Sequence, residues 1–537
     1  MIRAVLFQDE VTHLPMTFRL LSGCIGLIIA LVACAPEAQT KPETGNVTVA
    51  PLSSRSPSPL PADTPSPLPG YTSTAPSHPV NCPTGADETG VQYEIEAVLD
   101  WPEHVVQVEQ YVSYQNDTSR EQDRIVFNVE PNRSPGQFAL KRITTEDGRR
   151  IENYELVDAR LTVFLVDALA PGCADNLLLE YTLTVPAIQA GYSQGHLGYW
   201  GYNARQVNLG MWLPLVAAFD GSRAWVSPAD HPIGEHFALQ TADFVVDFQI
   251  KGGSDHIRVA GPGQIKKLNN QTWHFELRHG REFTLSVSEN FEVLRTITQS
   301  NVEVELYYFP DPVQKILDSP RHTLNTAVDA LVLYEELYSL YPYSRLVVVE
   351  GDFPDGMEFS GLVFVSGDWF RAWQGVPNDW LTLITAHEVA HQWWYALVGN
   401  DQGNYPYLDE ALATYSEALF FERYYPEYVE WWWDFRVATY TPSGFVDSKV
   451  YEFTSVRGYI NAVYLQGARM MQALRDDLGD KSFFTWMQEY ARRMQRQMAT
   501  PLDFWGSLSQ DGYRRTQNIR DQYLKQADVL LRTSELP

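Results

Sequence analysis

From about residue 90 to residue 300, apolar and polar positions alternate with a period of two. Tyr93-Glu94-Ile95-Glu96-Ala97, Val106-Gln107-Val108-Glu109, Trp273-His274-Phe275-Glu276-Leu277 and Phe283-Thr284-Leu285-Ser286-Val287 all read this way. The pattern predicts half-buried strands separated by Gly, Pro and Asn turns. Beyond residue 300 the period changes. A strand, Val302 to Phe309, leads into a run from Thr323 to Leu340 in which Val328, Leu331, Leu333, Leu337 and Leu340 fall near helical spacing, until Tyr341-Pro342 stops it. A strand from Leu346 to Val349 follows, and helical patterning then dominates to the end of the chain. The expected organisation is a β domain over residues 81–300 and a mixed α/β and helical domain over 301–537.

The N-terminal residues follow neither pattern. Leu20 to Ala33 is an almost wholly apolar run of about 14 residues behind Arg19, short for a membrane span and suited to a signal-peptide core. Its end, Leu31-Val32-Ala33-Cys34, resembles the bacterial lipobox. Residues 1–34 therefore read as a lipoprotein signal peptide with Cys34 as the lipidated first residue of the mature chain. Asp9 and Glu10 are unusual before such a core, which makes Met16 a competing start. Residues 35–80 hold 11 prolines among 46 residues, many alternating with Ser and Thr. This composition forms no core and, extended as polyproline II, spans ~140 Å. The expectation is an exported chain, lipid-anchored and tethered at the outward face of the cell membrane.

Composition narrows the function. The 537 residues carry 67 acidic and 40 basic side chains, a net charge of −27, so no overall positive field favours nucleic acid. Of the four cysteines, Cys24 and Cys34 belong to the signal. Cys82 and Cys173 remain as a candidate disulfide.

The chemistry-bearing motif is His387-Glu388-Val389-Ala390-His391, inside a run from Trp380 to Leu397 without Gly or Pro. On a helix, His387 and His391 share one face, a turn apart. Glu388 points about 100° away and reaches a metal-bound water rather than the metal. Zinc needs a third protein ligand and an open position. Trp394 and Leu397 stand where the metzincin pattern requires Gly and His, which excludes that class. After the loop Gly399 to Pro406, Leu408-Asp409-Glu410-Ala411-Leu412-Ala413-Thr414-Tyr415 reads as a second helix. It offers Glu410 as the third ligand, with Asp409 and Asp401 as competitors. Glu417, seven residues on, shares the face of Glu410, as either a carboxylate orienting a ligand histidine or a solvated charge. Trp431-Trp432-Trp433 reads as helix packing.

His387-Glu388-x-x-His391, 18 residues and then Glu410 resembles the membrane alanyl aminopeptidase and leukotriene hydrolase family of gluzincin zinc metallopeptidases. Gln392-Trp393-Trp394 is similar to the family's continuation, and the family spacing selects Glu410 over Asp409. Gly356-Met357-Glu358-Phe359 resembles the Gly-x-Met-Glu-Asn exopeptidase motif. The resemblance implies that Gly356, Met357 and Glu358 bind substrate, with Glu358 on the free α-amino group. Val463-Tyr464-Leu465-Gln466-Gly467 resembles the Tyr-x-Lys-Gly segment, implying that Tyr464 stabilises the tetrahedral intermediate; Tyr459 is a weaker second candidate. Phe359 and Gln466 depart from the family's Asn and Lys, and no counterpart of its second amine-binding residue is visible in the β region. The implied fold is α+β and multidomain: an antiparallel, saddle-like β domain, then a thermolysin-like α/β and helical catalytic domain. With 537 − 464 = 73 residues after Tyr464, the large C-terminal helical domain of many members is expected to be absent.

The implied function is a membrane-anchored peptidase using one Zn²⁺ per chain, most simply an aminopeptidase acting on peptides. In this reading Glu388 takes a proton from the attacking water and passes it to the leaving amine. Two alternatives remain at this level: an endopeptidase or other zinc hydrolase on the same scaffold, and a binding lipoprotein with a vestigial metal site.

Overall fold

The computed structural model describes residues 90–188, 197–219, 225–311 and 318–530, which fall in one compact unit. The expected signal, Cys34, the proline-rich tether and Cys82 lie outside them. Cys173 is buried and disulfide-bonded.

The alternating segments build a seven-stranded sheet in the order Gln264–Asn269, Thr272–Gly280, Ala242–Lys251, Val91–Asp100, Val105–Gln115, Ala174–Thr184, Phe138–Thr145. Strict alternation along Val91–Asp100 puts Val91, Tyr93, Ile95, Ala97 and Leu99 in the core and the intervening acids outside. The sheet is antiparallel except where Val91–Asp100 pairs with Ala242–Lys251 in parallel. Period two carries no information on strand direction, so the sequence could not distinguish this pair. Two smaller four-stranded sheets complete the β region.

The next sheet starts earlier than the residue-300 boundary. Glu292–Ile297 pairs antiparallel with Glu303–Tyr308, followed in parallel by Arg345–Gly351 and Leu362–Ser366. The last two strands are buried along their whole length, which explains their continuous apolar runs. Between Glu303–Tyr308 and Arg345–Gly351 the chain forms the helix Ser319–Leu337, which ends at Tyr338, three residues before Tyr341-Pro342. The metal-motif helix, Trp380–Ala390, packs against that helix, the helix Glu410–Tyr424 and the strand Leu362–Ser366. Its first turn is capped by Asp379, which accepts from Leu381 N–H at 2.9 Å.

This helix stops at Ala390, not at Leu397 as the absence of Gly and Pro suggests. After His391 the backbone opens into wide turns, with Ala396 N–H donating to His391 O, Leu397 to Gln392 O and Val398 to Trp393 O. The turn brings the Trp394 carbonyl to His391 Nδ1 at 3.0 Å and buries Trp393 and Trp394 completely. Burial of two indoles and a hydrogen bond to a ligand histidine outweigh local helix propensity here.

Buried polar groups join the β region to the helical region. Arg281 is buried, and its guanidinium donates to the carbonyls of Leu239 (2.6 Å), Gln497 (3.1 Å), Leu397 (3.3 Å) and Tyr395. Neighbouring Glu282 accepts from Ser360 N–H at 2.6 Å and from the Tyr395 hydroxyl. Burial pushes the Glu282 carboxyl up to about 7, against an ordinary 4.5. Between those values the folded protein holds a proton that the unfolded chain has lost, so stability is greatest below about 4.5 and falls as pH rises towards 7. The loss is on the order of 3 kcal/mol. Denaturant titrations across this range should show a shallower pH slope in Glu282→Gln; an unchanged slope would remove Glu282 as its source.

Candidate metal and substrate site

The Glu410–Tyr424 helix starts where Asp409 Oδ1 accepts the Glu410 N–H at 2.7 Å. Asp409 Oδ2 accepts from Asn400 at 3.1 Å. Asp409 is therefore a cap facing away from the histidines, and burial followed by Glu410 raises its pKa well above the carboxylate range. Asp401 closes a local turn with Asn404. Glu410 is the acid that meets the motif.

The donor atoms fit a tetrahedral zinc ion. His387 Nε2 and His391 Nε2 lie 3.1 Å apart, and Glu410 Oε2 lies 3.3 Å and 3.5 Å from them. Bonds of ~2.0 to 2.1 Å around a tetrahedral ion separate the donors by about 3.3 Å. A carbonyl can only accept, so His391 Nδ1 carries a hydrogen towards Trp394 O. His387 Nδ1 likewise faces the Glu417 carboxylate at 2.8 Å. Neutral rings so held turn two lone pairs at each other, an arrangement that needs a cation between them. Glu410 Oε2 is buried with no hydrogen-bond partner. Burial disfavours charge on His391, yet Glu410 outweighs it and lifts the imidazole well above its ordinary pKa. The pocket demands positive charge.

Glu417 resolves as the orienting carboxylate. It is fully buried, holds His387, and receives Arg436 Nε and Nη2 and Trp432 Nε1, each at 3.0 Å. Burial alone would raise its pKa, but Arg436 and His387 bring it below the usual value. Trp432 and Arg436, four residues apart on a π-helical turn, Trp432–Val437, are support that sequence reading missed. Within the tryptophan run, their i, i+4 relation was the available signal.

Glu388 lines the same cleft, buried, with Oε2 unpartnered. Burial, reinforced by Glu358, Asp355 and Glu410 and only partly offset by His391, holds its pKa well above the carboxylate range. A Cβ on Gly356 would lie 2.0 Å from Glu388 Oε1, so this glycine is required by close approach. Met357 is buried and pairs with Phe364, its N–H donating at 3.2 Å and its carbonyl accepting at 2.8 Å. The segment thus forms an outer edge beside Leu362–Ser366. Glu358 accepts from Gln402 Nε2 at 3.0 Å and lies in a second buried acidic cluster with Glu235 and Glu410, oxygens within 4.8 Å of one another. Glu235 comes from the β region, in a Pro- and Gly-containing loop without periodicity, and no sequence motif marked it. Tyr464, on the π-helical turn Ile460–Leu465, lies parallel to the His387 ring at 6.0 Å. Burial first, and then Glu410, raises its pKa well above 10, so the hydroxyl keeps its proton. Tyr459 packs edge-on against it at 5.4 Å and lines the cleft.

Replacing Glu417 by Gln keeps the shape but removes the charge that orients His387 and balances Arg436. Zinc affinity measured by chelator competition should fall by about 10- to 100-fold. Unchanged affinity would reduce Glu417 to a packing residue.

Residues 322–523 match the peptidase family M1 domain. Endoplasmic reticulum aminopeptidase 2 of Homo sapiens is 26% identical over 289 residues, 50% of this chain and 30% of the relative. Aminopeptidase M1-A of Oryza sativa subsp. japonica is 24% identical over 221 residues, 38% of this chain and 25% of the relative. The chain thus spans less than a third of the length of these curated relatives. Among solved structures, an M1 zinc metallopeptidase from Deinococcus radiodurans superposes with a TM-score of 0.58 at 16% identity, covering 81% of this chain and 95% of that one. A mutant of it bound to Tyr-Ser-Ala gives 0.57 at 17%, covering 81% and 94%. The fold is shared: a multi-sheet β domain followed by a helical catalytic region. With the metal triad, the Gly-x-Met-Glu edge and the cleft tyrosine on that fold, residues 322–523 match the domain of peptidase family M1, the gluzincin zinc metallopeptidases.

Proposed function

We propose that this protein is a zinc aminopeptidase that removes the first residue of peptides, with His387, His391 and Glu410 as metal ligands. The observation that carries the reading is that Glu410 belongs both to the metal triad and to the acidic cluster with Glu358 and Glu235. A substrate ammonium held by those two acids has only one residue's length between it and the metal position. That spacing favours cleavage after the first residue.

A bound zinc ion acidifies water and polarises the scissile carbonyl. Glu388, beside Gly356 and unpartnered at Oε2, accepts the water's proton and returns it to the departing amine. Tyr464 donates its hydroxyl hydrogen to the developing oxyanion. Glu358, fixed by Gln402, and Glu235 receive the α-ammonium. Gly356, without a side chain beside Glu388, lets an extended peptide approach this edge closely, while Met357 holds the edge to Phe364 with both its backbone groups.

We further propose that the protein acts outside the cytoplasmic membrane, anchored through lipid at Cys34. The lipobox-like Leu31 to Cys34 and the proline-rich tether support that reading. Cys34→Ala should shift the protein from the membrane to the soluble fraction; continued membrane retention would refute the anchor.

For catalysis, Glu388→Gln should retain one zinc per chain while kcat on aminoacyl reporters drops by about 10²- to 10⁴-fold. N-acetylation of the substrate should cost roughly 10²-fold or more, because it removes the ammonium that Glu358 and Glu235 receive. Equal hydrolysis of acetylated and free peptides would overturn the aminopeptidase reading and favour an endopeptidase.

A further inference from the structure

The cleft continues beyond the acidic cluster into a second cavity of about 520 Å³, and the two share Pro232, Gly234 and Pro354. The chain itself links them. Glu235 faces the catalytic cleft, while His236, the next residue, lines the second cavity. Tyr199 bridges the same gap: it lines the cavity, and besides its burial it feels the charges of Glu130, Glu235 and Glu358.

The cavity wall is polar and incompletely satisfied. His236 is only 9% exposed, and neither of its ring nitrogens has a hydrogen-bond partner. Its Nε2 stands 3.8 Å from Glu130 Oε2, beyond hydrogen-bond range. Buried polar groups in this condition are costly unless a ligand completes them. The charges are unequal too. Arg133 is committed to Glu130 through bonds of 2.6 Å and 3.0 Å, which leaves Asp230, exposed at the cavity mouth, in excess.

We propose that this cavity receives the side chain of the substrate's first residue and selects a long cationic one, arginine or lysine. The inference rests on the aminopeptidase reading, since it is an ammonium held by Glu235 and Glu358 that places the first α-carbon at the shared rim. From there the aliphatic stem of arginine or lysine crosses Pro354 and Gly234, as such stems readily do over apolar surface. Its charged end then reaches an acceptor nitrogen of His236 and the carboxylates of Glu130 and Asp230. An uncharged side chain of equal length would make the apolar contacts but leave the excess negative charge unanswered. An acidic one would add to it.

The experiment compares arginyl with citrullinyl reporter substrates, nearly equal in shape and different in charge, on the full zinc-loaded protein. The expected kcat/KM ratio is about tenfold or more in favour of arginine. Asp230→Asn should lower the ratio several-fold. Glu130→Gln, which frees the Arg133 charge, should lower it further, towards or below one. Asp230 is exposed, so its variant keeps the test available if Glu130→Gln does not fold. Because the readout is a ratio within each variant, uniform changes in rate cancel. A wild-type ratio near one, or a ratio that neither variant moves, would overturn the proposal. Should N-acetyl-arginyl reporter be cleaved as fast as the free-amine form, the aminopeptidase reading fails first and this inference falls with it.

Discussion

The structure is organised around an excess of buried negative charge. Glu235, Asp355, Glu358, Glu388 and Glu410 all line one cleft, and Asp409 and Glu417 lie buried just behind it. Carboxylates gathered away from water repel each other and forfeit hydration, so each must be neutralised, paired or held for a purpose. The fold uses all three solutions. Asp409 is driven towards its neutral form by burial and Glu410. Glu417 is paired with Arg436 and His387. The remainder faces the cleft, where a divalent ion at the histidines and, in the proposed function, an ammonium at Glu235 and Glu358 would add positive charge. In the proposed aminopeptidase, affinity for metal and affinity for a free N-terminus are two expressions of one electrostatic constraint.

Such a constraint works only if the acids cannot relax apart, and the surrounding polar frame prevents this. Gln392, directly after the second histidine, accepts from Gly361 N–H at 2.8 Å and donates to Phe359 O at 3.0 Å. Glu282 of the β region accepts from Ser360 N–H, and Gln402 holds Glu358. Three long side chains from separate parts of the chain thus pin one short segment. The segment that carries Glu358 is tied through Gln392 to the end of the metal-motif helix. The β region therefore contributes to the cleft: it supplies Glu235 directly and, through Arg281 and Glu282, braces the segment that carries Glu358.

What the sequence could disclose follows from this. His387, Glu388 and His391 were legible because a helix converts spacing of four into a shared face, and Glu410 because family spacing separated it from Asp409. The strands around Tyr93 and Phe275 were legible because a half-buried sheet imposes period two. The same rules failed where long-range contacts decide. The metal helix stops at Ala390 because the following turn is needed to bury Trp393 and Trp394 and to deliver a carbonyl to His391. Glu235, Arg436 and Gln402 stand in loops or irregular turns, where no periodicity marks an inward-facing side chain. Their roles arise from meeting residues far away in sequence, and such meetings leave no local pattern.

The departures from the family motif carry the final step. Phe359 replaces an Asn beside Glu358, the proposed amine anchor, a change that reads from sequence as a threat to substrate recognition. In the fold its ring is fully buried against Tyr199 and Phe364, edge-on at 5.6 Å and 6.2 Å, and it does not line the catalytic cleft. Only its backbone carbonyl serves the site, through Gln392, and any residue supplies a carbonyl. Alternation along an extended edge explains the separation, since Glu358 and Phe359 point to opposite sides. A polar Asn on that side would need partners within an aromatic layer, whereas Phe adds apolar contact between the β region and the edge segment. The substitution thus exchanges one means of bracing the edge for another, and the acid at 358 keeps its place.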